Sequence, residues 1–131
     1  MYKWTTEQRY ATYDTYPKDY LKGLQTAQQN SRWHLGYHIQ PLSGLLNDPN
    51  GFSYFNHQWH VFYQNFPFGP VHGLKSWRHL ASDDLLHWQD RGDGLQPHQP
   101  YSTQGVYSGS ALALSGMNQL YGPNPRVHAP W

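Results

Sequence analysis

The stretch Gly-Leu-Leu-Asn-Asp-Pro-Asn-Gly, residues 44–51, sets a single carboxylate, Asp48, between an amide side chain and a proline. A carboxylate held in this way can attack an electrophilic carbon, or it can do no more than cap a turn. Pro49 has a fixed φ and no N–H, and it biases Asp48 towards an extended backbone. Asn50 and Gly51 tolerate positive φ. The sequence therefore predicts a sharp, stiff turn just before a β-strand, with the apolar pair Leu45-Leu46 ahead of it. A solvated Asx-turn is the alternative on local chemistry alone.

The other polar clusters carry less chemistry. His34 and His38 stand four apart, but Gly36 and Ile39-Gln40-Pro41 argue against the helix that would put them on one face. His57 and His60 have no third ligand in sight, so no metal site is expected. Asp83-Asp84 reads as a turn former rather than an acid/base pair. The absence of cysteine excludes disulfides and thiolate chemistry. Lys and Arg number 9 against 8 Asp and Glu, a net charge of +1, which gives no electrostatic footprint for nucleic acid or an anionic membrane. Residues 1–9 are polar and lack the apolar core of a secretion signal, and no run reaches transmembrane length. The expectation is a soluble, cytoplasmic protein without a cofactor.

The elements that must position Asp48 follow from the patterning. Tyr16–Asn30 carries Pro17 near a helix start and apolar residues at 20, 21, 24 and 27, which suits one amphipathic helix within a leader, residues 1–33. From about residue 34 short aromatic and β-branched runs take over. Residues 52–55 and 59–64 flank Asn56-His57-Gln58 as a hairpin, 76–82 reads as a third strand and 87–90 as a short fourth. Four consecutive antiparallel strands match one propeller blade, or a meander in another all-β fold. A polar, Pro-rich connection over 94–105 leads to a fifth strand over 106–114. A sixth begins near Gln119, and three prolines in 122–131 are expected to stop the ladder there.

These residues, taken in order, resemble glycoside hydrolase family 32, the invertase-type β-fructofuranosidases. The matching stretches are Tyr37–Pro41 with Gly44–Gly51, Val61–Pro67, His72–Trp77, Ser82–Leu85 with His87-Trp88, and Gly105–Ala111. The resemblance implies an all-β, five-bladed β-propeller, here its first blade and part of a second, spanning 34–121 after the short N-terminal helix. It implies retaining hydrolysis of the terminal β-fructofuranoside bond of sucrose or sucrose 6-phosphate, with Asp48 as nucleophile. Leu45, Leu46 and Asn47 would frame the fructosyl pocket, and Gln64 would bond sugar hydroxyls. Trp77 and Tyr107 would give aromatic walls, and Ser108 a hydroxyl contact. For each of these a plain packing or strand-end role stands beside the functional one. His72 or Lys75 would meet a substrate phosphate, against a loop of solvated side chains as the alternative.

Retaining hydrolysis needs a second carboxyl group. The only Glu is Glu7, and no Arg-Asp-Pro triplet is present. The expectation is therefore a fragment, truncated or frameshifted from about Gly116 or Gly122, aggregation-prone and inactive alone, with 122–131 a non-homologous or irregular tail. A non-catalytic carbohydrate-binding β-domain is the alternative function.

Overall fold

The computed structural model describes residues 3–97, 102–113, 119–121 and 128–130. Four strands, β1 (Leu45–Phe55), β2 (Gln58–Phe66), β3 (Ser76–Ser82) and β4 (Gln89–Leu95), form one antiparallel sheet in chain order. A second, three-stranded sheet follows: β5 (Leu112–Ala113), β6 (Gln119–Tyr121) and β7 (His128–Pro130). The leader holds helix α1 (Thr6–Tyr10), a 3-10 turn (Tyr13–Thr15) and helix α2 (Lys18–Gln29), the last close to the expected span. Among the described residues no helix is long and apolar enough to cross a membrane.

Successive side chains of β2 point to opposite faces, and each face has its own core. Phe62 packs with Trp77 and Leu95, joined by Phe55 of β1 and by Val106, Ala111 and Ala113 from the chain after β4. Val61 and Tyr63 pack with Leu80, Leu46 and Trp88 on the other face. The leader docks through aromatic rings. Tyr16 stacks on Phe68 with ring centroids 3.7 Å apart, Trp4 meets Phe66 edge-on, and the Tyr20 hydroxyl donates to the Phe68 carbonyl. Leu74 is held on both sides, its N–H donating to Arg9 O at 2.7 Å and its carbonyl accepting the Tyr13 hydroxyl at 2.9 Å.

Four expectations need correction. The Asn-Asp-Pro-Asn-Gly segment lies inside β1 and not on a turn ahead of it. Proline tolerates strand geometry at an edge or a bulge, and Pro49 has both. The fourth strand begins at Gln89, because Asp84 caps the preceding loop: its carboxylate accepts the N–H groups of Leu86 and His87 and pairs with the His87 ring. The fifth strand is only Leu112–Ala113 within the described residues, because backbone groups of 106–109 are spent on side chains of β1, β2 and β3. The ladder does not stop at Tyr121, since Gln119–Tyr121 pairs antiparallel with His128–Pro130. The rest of the expected tail, 122–127 and Trp131, lies outside the described residues, as do 98–101 and 114–118.

A buried histidine pair joins β2 to β3. His60 Nε2 lies 3.0 Å from the Phe55 carbonyl, which only accepts, so that nitrogen carries the proton. His60 Nδ1 then accepts from His79 Nε2 at 2.9 Å, and His79 also stacks on Phe62. Burial, helped by His60 and Arg91 and opposed by Asp90, pushes the His79 imidazole down to about 4 from its ordinary 6.5. The unfolded chain thus binds a proton that the folded chain refuses. The contribution is fully present above pH 6.5 and is lost as the pH falls from 6.5 to 4. We expect chemical unfolding to show a stability about 2 kcal/mol lower at pH 5 than at pH 7, and the drop to shrink markedly in His79→Gln, which cannot be protonated.

Candidate active site

Between β1 and β2 the register slips by one residue: Asn47 opposes Gln64, Pro49 opposes Tyr63, and Asp48 is the extra residue between them. Such a bulge re-aims a side chain. Asp48 takes φ 39°, a region that Asp enters more readily than most residues, and its side chain is exposed. The buried Asn50 fixes the bulge from behind. Its Nδ2 donates to the Asp48 carbonyl at 2.8 Å, and its Oδ1 accepts the N–H of Gly109 at 2.9 Å. Gly51 follows at φ 61°, where an added Cβ would stand 2.8 Å from the Phe62 ring.

The segment 105–109 crosses this bulge. Gly105 has φ 114° and passes so close to Lys75 that a Cβ would lie 2.8 Å from the Lys75 nitrogen. Ser108 Oγ then donates to Asp48 Oδ2 at 2.7 Å, and Trp77 Nε1 donates to the Tyr107 carbonyl at 3.2 Å. Two parts of the chain sixty residues apart therefore meet at one carboxylate.

Electrostatics favour the ionised form of that carboxylate. The Ser108 hydroxyl is the largest cause and the Asn47 side chain the next. Lys75 adds positive potential, as does His72 when it is protonated, so the Asp48 carboxyl is held below the usual carboxylate range. Lys75 itself is only 7 % exposed. Its desolvation lowers the ammonium from its ordinary value, and the charge of Asp48 opposes that.

The structure brings together Asn47, Asp48, Gln64, His72, Lys75 and Ser108. Asn47 Nδ2 donates to Gln64 Oε1 at 2.9 Å, and the Lys75 ammonium donates to Asn47 Oδ1 and to His72 Nδ1. Tyr107 is 71 % exposed, so its ring is available to a ligand. Trp77 is 1 % exposed and packs with Phe62 and Leu95, which places it beneath the site rather than on its surface. Leu46 packs on the opposite face of the sheet, against the cluster of Val61, Tyr63 and Leu80, and Leu45 pairs with Phe66 half-buried.

Sequence reasoning missed Asn50 as the clamp of the bulge and Lys75 as the partner of Asn47. Asn50 lay in the quoted motif, and its type, an amide two residues beyond the carboxylate, was the available signal. Cavity size would not have found the site either. A cleft of about 490 Å³ opens instead between the leader and the Tyr63 face, lined by Tyr13, Tyr16, Phe68, Arg78 and Asp93. Removing the Ser108 hydroxyl from the carboxylate has a defined sign. In Ser108→Ala the Asp48 carboxyl should titrate at higher pH than in the unaltered chain, as followed by its ¹³C carboxyl resonance.

Known proteins share this sequence and this fold. The glycosyl hydrolases family 32 N-terminal domain matches residues 38–123. A sucrose-6-phosphate hydrolase of Lactococcus lactis subsp. lactis is 60 % identical over 112 residues, covering 86 % of this chain and 24 % of that protein. One of Pediococcus pentosaceus is 52 % identical over 118 residues, covering 90 % of this chain and 23 % of its own length. The solved structure of sucrose-6-phosphate hydrolase from Lactobacillus gasseri superposes with a TM-score of 0.87 at 48 % identity, over 92 % of this chain and 24 % of that one. A Bombyx mori GH32 beta-fructofuranosidase mutant in complex with sucrose gives a TM-score of 0.67 at 32 % identity, over 79 % of this chain and 21 % of its own. The chain thus spans about a quarter of the length of these relatives. Their N-terminal domain is a five-bladed β-propeller, and the β1–β4 meander has the form of one blade. The exposed, hydrogen-bonded carboxylate therefore sits in a chain that belongs to glycoside hydrolase family 32.

Proposed function

We propose that Asp48 is the nucleophile of a retaining β-fructofuranosidase acting on sucrose 6-phosphate or sucrose. One observation carries the reading: the bulge exposes the Asp48 carboxylate while Ser108, Asn47 and Lys75 hold it ionised. In the first half-reaction a carboxylate oxygen attacks the anomeric carbon of the fructosyl unit. The bond to the leaving oxygen breaks, its electron pair departs with the leaving group, and a fructosyl ester forms on Asp48. Water then cleaves the ester with net retention. Asn47, Gln64 and Ser108 are the groups next to the ester that can bond fructosyl hydroxyls, and Tyr107 offers an exposed ring for stacking. Trp77, Leu45 and Leu46 support these groups by packing.

The leaving group needs a proton from a second carboxyl group. The ionisable groups acting on Asp48 are Lys75 and His72, with no carboxylate among them, so this part of the fold supplies the attacking half of the reaction. For a 6-phosphorylated leaving group, His72 is the better placed contact. Its side chain is exposed, and its Nδ1 accepts from the Lys75 ammonium at 3.0 Å, which leaves Nε2–H as a donor. We assign residues 34–121 to the family's propeller domain and 1–33 to a leader. Cytoplasmic location follows from a phosphorylated sugar as substrate.

A second reading, a sugar-binding β-domain without catalysis, draws on the exposed Tyr107 ring and the amide cluster beside it. The two separate with a substrate whose leaving group needs no proton. β-D-Fructofuranosyl fluoride should add one fructosyl unit to the chain, located by peptide mass spectrometry on Asp48 and missing in Asp48→Asn. Label on another residue, or saturable binding with no label, would defeat the nucleophile reading.

A further inference from the structure

Four hydrogen bonds close a ring around the site. The Lys75 ammonium donates to Asn47 Oδ1, and Asn47 Nδ2 donates to Gln64 Oε1 at 2.9 Å. Gln64 Nε2 donates to the Val106 carbonyl at 3.2 Å, and the Val106 N–H returns to the Lys75 carbonyl at 2.9 Å. The members come from β1, β2, the segment before β3 and the segment before β5.

An amide side chain can sit either way round, because its oxygen and nitrogen have nearly the same shape. This ring removes the choice. An ammonium only donates, so the Asn47 oxygen must face Lys75 and the Asn47 amide nitrogen must face Gln64. Reversed, Asn47 would set N–H against ammonium and its oxygen against the Gln64 oxygen. The Val106 carbonyl only accepts, which fixes Gln64 in the same sense.

The position is costly for a lysine. Burying an ammonium is unfavourable unless it is bonded and paired. Lys75 is 7 % exposed, and Asn47, His72 and the nearby charge of Asp48 compensate for its lost water. A methionine would fill similar space without that cost, and without orienting Asn47.

We propose that Lys75 is a positioning residue for the Asp48 reaction. Its inward-turned ammonium sets the sense of the Asn47 and Gln64 amides beside the Asp48 carboxylate. The role rests on the reading of Asp48 as nucleophile, and it replaces contact with a substrate phosphate as the function of this lysine.

Solution NMR of the 131-residue chain tests it. In the unaltered chain the Lys75 ammonium should give a resolved ¹H–¹⁵N signal that exchanges with water more slowly than those of the exposed Lys18 and Lys22. In Lys75→Met the Asn47 and Gln64 side-chain amides should exchange faster, on the order of tenfold. The Asp48 carboxyl should also titrate at higher pH. A Lys75 signal as fast as those surface lysines would overturn the proposal, and that measurement needs no variant to fold. Unchanged amides and an unchanged Asp48 midpoint in a folded Lys75→Met chain would overturn it equally. A fructosyl label found away from Asp48 removes the nucleophile reading and leaves these signals in place, so the two failures are told apart.

Discussion

One extra residue in β1 governs what surrounds it. A regular strand would pair Asp48 with β2 in step with its neighbours, and every later side chain would fall on the other face. The bulge instead takes Asp48 out of the pairing while Asn47 stays opposite Gln64 and Pro49 opposite Tyr63. A second slip between Asn50 and Ser53 follows at once, and Gly51 passes over the Phe62 ring there. The missing N–H of Pro49 is harmless because β1 is the edge of its sheet. Carboxylate exposure and strand pairing are thus reconciled by a local irregularity.

That irregularity needs support from outside β1, and the support is polar. Asn50 ties the bulge to Gly109, Ser108 reaches the carboxylate, and Trp77 anchors the Tyr107 carbonyl from the core below. Behind Lys75 stands the leader, which clamps Leu74 by Arg9 O and the Tyr13 hydroxyl. The leader does no chemistry itself, yet it fixes the backbone next to the buried ammonium. Each such bond is worth about 1 kcal/mol net, so the precision comes from their convergence rather than from any one of them.

Much of this was legible in the sequence where local pattern decides. Pro17 before an amphipathic run gave α2, and the alternation around Asn56-His57-Gln58 gave the β1–β2 hairpin. The match of five ordered motifs gave the family and marked Asp48. What stayed hidden depends on pairing at a distance. Asn-Asp-Pro-Asn-Gly looks like a turn to any local rule, and only the edge position of β1 makes it a bulged strand. Residues 106–111 look like a strand because their composition is right, but their backbone bonds go to Lys75 and to side chains of β1–β3. His60 and His79 are nineteen residues apart, and nothing in either neighbourhood announces their contact. The capping box of Thr5 and Gln8 was readable, and it starts the unforeseen helix α1.

As proposed above, a fructosyl unit binds at the Asp48 bulge, beside Ser108 and the Asn47–Gln64 pair. Titrating the ¹⁵N-labelled chain with methyl β-D-fructofuranoside and mapping the shifted resonances tests this most directly. Shifts should centre on Asn47, Asp48, Gln64 and Ser108. Shifts centred on the cleft lined by Tyr16, Phe68 and Arg78, with the bulge undisturbed, would contradict it.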